Sequence, residues 1–141
     1  MHPLYSQEFS SAVELAIESA ELKTSCEFKI HLEDDCNEDV FDRAAYVFSE
    51  LELHKTQQRN AILIFIVIQS RKVVILADVG VSNSLSTAYI EEQIALLTSA
   101  FKSENFISGI SEVLDRMGNF LSASFPRTEN DVNEISNTLS R

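Results

Sequence analysis

The sequence has no tryptophan, two prolines, three glycines and two cysteines among 141 residues. So few turn formers leave little room for an all-β fold with many tight turns, and favour a mixed helix and strand design. The cysteines do not suggest a disulfide. A strand over 26–32 carries the chain about 20 Å, so bringing Cys36 within about 7 Å of Cys26 needs a sharp reversal right after it. Free thiols are expected. With His31 and His54 the cysteines form no C-x-x-C or H-x-x-x-H spacing, so no zinc site is expected either.

Basic side chains are also scarce, 11 against 22 acidic, for a net charge of −11. That field repels phosphate backbones, so a nucleic-acid partner is not expected. It suits divalent cations or a basic protein surface. No apolar run approaches the roughly 20 residues that span a bilayer; the longest is Ala61–Ile68. Met1–Ser10 has no basic segment followed by an apolar stretch, so no signal peptide is expected. These readings predict a cytoplasmic chain without membrane insertion.

What is present is strong periodicity. Phe9, Val13, Ala16, Ile17 and Ala20 predict an amphipathic helix over 7–23, capped by Ser6 with Glu8 in its first turn. Cys26-Glu27-Phe28-Lys29-Ile30-His31-Leu32 alternates strictly, which predicts a strand with Lys29 and His31 on its wetter face. After the polar loop Glu33–Asn37, a helix is expected with Asn37 as cap and a core stripe of Phe41, Ala44, Ala45, Phe48 and Leu51. Ala61–Ile68 has no polar face, so it predicts a central strand covered on both sides. Gln69-Ser70-Arg71 then turns it into an antiparallel partner, Lys72–Ala77. Two further helices follow, one capped by Ser86 or Thr87 and striped by Ile90, Ile94, Leu97 and Phe101. The other runs from Ile107 to Phe125 with Gly109 and Gly118 inside it, each costing about 1 kcal/mol against Ala unless a close backbone approach needs it.

The order α-β-α-β-β-α-α makes the first two strands a parallel, right-handed crossover pair. Helices must cover both faces of the central strand, which predicts a three-layer α/β/α sandwich on a small mixed sheet. Residues 1–126 form the single expected domain. The tail 127–141, with Val132, Ile135 and Leu139 as its only apolar residues, is expected to fray or to dock weakly.

Several stretches in this order resemble the TPM domain family. They are Thr24-Ser25-Cys26-Glu27, Leu53-His54-Lys55-Thr56, Arg59–Ile64, Ser70-Arg71-Lys72 and Asp78-Val79-Gly80-Val81. Phe101-Lys102 through Phe106 and Gly109, then Phe125-Pro126 ahead of Asp131-Val132-Asn133-Glu134, continue the likeness, which spans residues 9–135. The resemblance is to the short form without signal or anchor, and it implies an α/β/α sandwich. Anchored members occur in thylakoids and bacterial envelopes, where they are tied to photosystem repair. Acid phosphatase activity and calcium or magnesium binding have been attributed to the family. The chain departs from the pattern where the family usually has Gly at Cys26 and Ala61, and often at Glu52 and Ala77. Ser70 replaces a turn acid, and Tyr89 a frequent Trp. Lost glycines reduce close backbone approach to a ligand.

The expected topology gathers candidate site residues at one end of the sheet. Thr24, Arg59, Asn60 and Gly80 are expected to bind, and Glu27 and Asp78 to offer hard oxygens to Ca²⁺ or Mg²⁺. Arg59 would meet a phosphate, helped by the helix start after Gly80–Ser86. At the other end, Glu33-Asp34-Asp35 fails the EF-hand pattern, with Val40 where Gly and Tyr46 where Glu would stand. A solvated acidic loop is the reading there. No P-loop, G-x-G-x-x-G or G-x-S-x-G sequence is present, and neither cysteine has an Arg six residues on. The expectation is a non-catalytic module that binds a divalent cation and a protein, a membrane-anchored TPM paralogue being the resemblance's suggestion. The alternative is a metal-dependent acid phosphatase using metal-activated water.

Overall fold

The computed structural model describes residues 2–129 and 131–141. Its axis is Ala61–Val67 (β2), buried at every position. An apolar β-branched run is stable as a strand only when both faces are covered. Glu27–Glu33 (β1) pairs with β2 in parallel, and Lys72–Ala77 (β3) pairs with it antiparallel, giving the sheet order β1-β2-β3. The central placement and the mixed sheet are as the apolar run and the crossover spacing predict.

Four helices cover the sheet: Gln7–Glu21 (α1), Val40–Glu50 (α2), Thr87–Lys102 (α3) and Phe106–Leu121 (α4). Alternation splits β2 between two cores. Ile62, Ile64 and Ile66 join Phe28, Ile30, Leu32 and residues of α1, α3 and α4. Leu63, Phe65 and Val67 pack with Ala44 and Val47 of α2. The result is the three-layer α/β/α sandwich. Helix α4 lies close to its neighbours because two glycines permit it. A Cβ on Gly118 would stand 3.2 Å from the Ala20 carbonyl oxygen, and one on Gly109 would stand 2.5 Å from the Ala100 Cβ.

Three local expectations need correction. The cap of α2 is Asp39, whose Oδ1 accepts the N–H groups of Phe41 and Asp42, not Asn37. The helix is rotated, so it docks through Ala44 and Val47 while Phe41 is 60% exposed. Lys29 and His31 do not face water: both are buried, because residues 131–141 run beside β1 and cover that face. The tail makes a parallel bridge between Ser140 and His31, with Leu32 N–H donating to the Ser140 carbonyl at 2.8 Å. It is an extended strap.

Candidate functional site

Backbone pairing brings all six sequence-predicted site residues to one end of the sheet. Glu27 N–H donates to the Asn60 carbonyl, Asp78 N–H to Ala61, and Gly80 N–H to Arg59. They nevertheless divide into two groups. Glu27 and Asp78 flank the β2 residue Ala61, so their backbones lie about 10 Å apart at two strand spacings.

On the β3 side, Arg59 forks onto Asp78: Nε reaches Oδ2 at 2.7 Å and Nη2 reaches Oδ1 at 2.8 Å. Val79 N–H adds a third bond to Oδ1. Burial pushes the Asp78 carboxyl up, but the guanidinium and the amide outweigh it, so it sits below the usual carboxylate value. Arg59 is held at φ 52°, and Gly80 presses on it so closely that a Cβ would stand 2.1 Å from the Gln58 carbonyl oxygen. Gly80 thus fixes the turn that aims Arg59 at Asp78. Both Asp78 oxygens are thereby engaged, whereas Arg59 keeps its Nη1 unbonded among the described residues and 45% of its side chain exposed.

On the β1 side, Thr24 is a staple: its Oγ1 donates to the Phe125 carbonyl at 2.5 Å and accepts the Cys26 N–H. Glu27 is buried, and its Oε1 accepts the N–H groups of Glu134 and Ile135 at 2.6 and 2.8 Å. Desolvation raises its affinity for a proton; the two amides oppose that, and the Glu134 charge adds to it. Asn60 donates through Nδ2 to the Ser25 carbonyl at 2.7 Å. Its Oδ1 is buried without a partner among the described residues.

Around Glu27 and Asn60 opens a groove of about 480 Å³, lined also by Ser25, Gln57, Gln58, Thr128, Asp131, Val132 and Glu134. The strap supplies one wall, and its residues escaped the sequence-based list. The Asp131–Glu134 segment of the family resemblance was the one signal that could have found them. Glu134 Oε2 accepts the Gln57 N–H, and Asp131 Oδ2 accepts the Thr128 N–H, leaving each carboxylate a second oxygen.

The acidic loop at the far end is tied up locally. Glu33 Oε1 accepts from Arg43 at 2.6 Å, and Asp34 accepts from Tyr5 and Gln69. Asp35 accepts its neighbour Cys36 N–H. Both cysteines are free, and burial pushes the Cys26 thiol up to about 11. Among the described residues no helix is long and apolar enough to cross a membrane.

A family model described as TPM domain matches residues 4–120. No curated protein matches the chain. The chain is similar to the NMR structure of BA42 protein from the psychrophilic bacterium Bizionia argentinensis, at 31% identity and a TM-score of 0.91. That likeness covers 99% of this chain and 97% of the other.

Proposed function

The chain belongs to the TPM domain family, and from that premise we propose that it is a non-catalytic module that binds a divalent cation, Ca²⁺ or Mg²⁺, and a protein partner. The observation that carries the cation reading is the groove walled by Glu27, Asp131 and Glu134, beside which Asn60 keeps a buried, unpartnered Oδ1. A buried carbonyl oxygen left without a donor is destabilising by about 1–3 kcal/mol, and a cation would satisfy it. The donor set is all hard oxygen, which suits Ca²⁺ or Mg²⁺ over softer metals. No group of three or more His, Cys, Asp or Glu among the described residues is arranged to surround an ion. Such a set does not enclose an ion, so an ion held here would keep much of its water. When bound, the ion would supply positive charge against the Glu27–Glu134 repulsion. The ligands would be Asn60 Oδ1 and the free oxygens of Glu27 and Glu134, while Asp78 belongs to Arg59.

For the protein partner, the reading extends to a membrane-anchored TPM paralogue or another protein. Leu15 of α1 and Leu22, the residue that caps its C-terminus two turns further on, are 67% and 70% exposed and offer it apolar surface.

An NMR titration with Ca²⁺ and with Mg²⁺ tests the cation site. Amide shifts at Glu27, Asn60, Asp131 and Glu134 are expected, with binding weakened about tenfold in Glu134→Gln. Shifts confined to Asp34 and Asp35, or none, would discard the reading. Hydrolysis of a chromogenic phosphate ester with Mg²⁺ is expected to stay at background in wild type and in Asp78→Ala alike. Turnover lost in a folded Asp78→Ala would establish the phosphatase instead.

A further inference from the structure

The strap is held by an unusual set of contacts. The polar row of β1 grips it by its main chain. Glu27 accepts two of its N–H groups, and Lys29 Nζ donates to the carbonyls of Ser136 at 3.2 Å and Thr138 at 2.8 Å. The edge of β1 adds two ladder bonds with Ser140, and His31 Nδ1 lies 2.8 Å from the Ser140 Oγ. Apolar burial is slight: Ile135 is buried, Leu139 partly so, and Val132 is 74% exposed. Lys29 has no carboxylate partner among the described residues, so its ammonium is desolvated for two carbonyls alone.

A seam meant to stay closed is more stable with apolar side chains than with desolvated charges. Charged readers have the opposite virtue, because when the strap leaves they take up water and bare no sticky surface. Segments with few buried apolar contacts also open at the low end of the free-energy scale.

We propose that the strap is exchangeable, and that the β1 edge is an interaction surface whose partner is the strap of a second copy of this chain. Main-chain reading by a strand edge is the recognition mode of β-augmentation. Three contacts select this sequence over other extended segments. Ile135 enters the cluster of Ala44, Val47 and Leu53, and Glu134 caps the Gln57 N–H. Arg141 Nη2 reaches the Leu4 carbonyl at 3.3 Å and the Ser10 Oγ at 3.1 Å. A second copy offers every one of these, and exchange of identical elements gives dimers at little cost. The pivot lies after Arg127, which is anchored through Nη1 to the Glu21 carbonyl at 2.9 Å. In such a dimer, Asp131 and Glu134 complete the groove of the other copy.

The test mixes two full-length chains in a Cys36→Ser background, one carrying His31→Cys and the other Ser140→Cys. These positions are bridge partners, within disulfide reach. A disulfide-linked heterodimer is expected, its yield rising with protein concentration. A chain with both substitutions closing internally, while the mixed single variants stay monomeric, overturns the proposal. Should the double variant fail to close, NOEs between differently labelled wild-type chains decide. Ile135 methyl contacts to Val47 across chains support exchange, and contacts within one chain only refute it.

Discussion

The two faces of β1 are sealed by different physics. Phe28, Ile30 and Leu32 point into the core shared with α1, α3 and α4, and are at most 2% exposed. Glu27, Lys29 and His31 point the other way and are nearly as hidden, at 4% to 6% exposed, yet what covers them is a strap held by hydrogen bonds. The first face gains stability from close packing, in proportion to apolar area removed from water. The second exchanges water for amides and carbonyls, with a small net gain per bond. Similar burial therefore does not mean equal contribution. His31 illustrates the second regime. Burial lowers its affinity for a proton although Glu33 raises it, and its ring stacks on Phe65 at 5.7 Å while Nε2 stands 3.5 Å from Glu33 without an aligned bond.

This contrast can be broken by measurement. Ile30→Ala should cost about 4 kcal/mol in a guanidinium chloride melt, from lost transfer energy plus a cavity. A loss under about 1 kcal/mol would erase the distinction between faces. At the edge of the same strand, the buried carboxyl of Glu21 accepts the Phe28 N–H, and burial pushes it up to about 7. The folded state thus prefers the neutral acid. Its contribution is fully present below about pH 4.5 and is lost as pH rises through about 7, worth about 3 kcal/mol. Melts of wild type and Glu21→Gln across that range should diverge by this amount, and parallel curves would refute the assignment.

Smaller effects sharpen the comparison. Glu52 sits at φ 57°, a left-handed backbone at a position where the family often has Gly. Glu52→Gly should stabilise by about 1 kcal/mol, read as a raised Tm. Lys29→Met should change global stability by less than about 1 kcal/mol, because losing two hydrogen bonds is offset by removing a desolvated charge. Amide exchange at Ser140 should nevertheless accelerate in that variant. Unchanged exchange would show that Lys29 does not hold the strap.

Much of the fold was legible because period and face are local properties. The strict alternation of 26–32 and the unbroken apolar run of 61–68 needed nothing beyond strand geometry. The missed features are non-local. Alternation says that Lys29 and His31 share a face but not what covers it, and a tail with three apolar residues allows fraying or weak docking without showing where it would dock. Sequence spacing placed Arg59, Asp78 and Glu27 at one end, yet could not tell that Arg59 would close on Asp78 and leave Glu27 to the strap. Phe41 went astray for a related reason: a helical stripe defines a direction only up to rotation, and packing against β2 chose Ala44 and Val47.

The sequence by itself determined the main elements, their order and which strand faces are apolar, since those follow from side-chain periodicity and from the need to remove apolar surface from water. Only the tertiary structure decided which charges meet and which polar face is covered. Those outcomes depend on distances between segments more than 100 residues apart, such as Glu27 and Glu134, and on close backbone approach at Gly80, which no local pattern encodes.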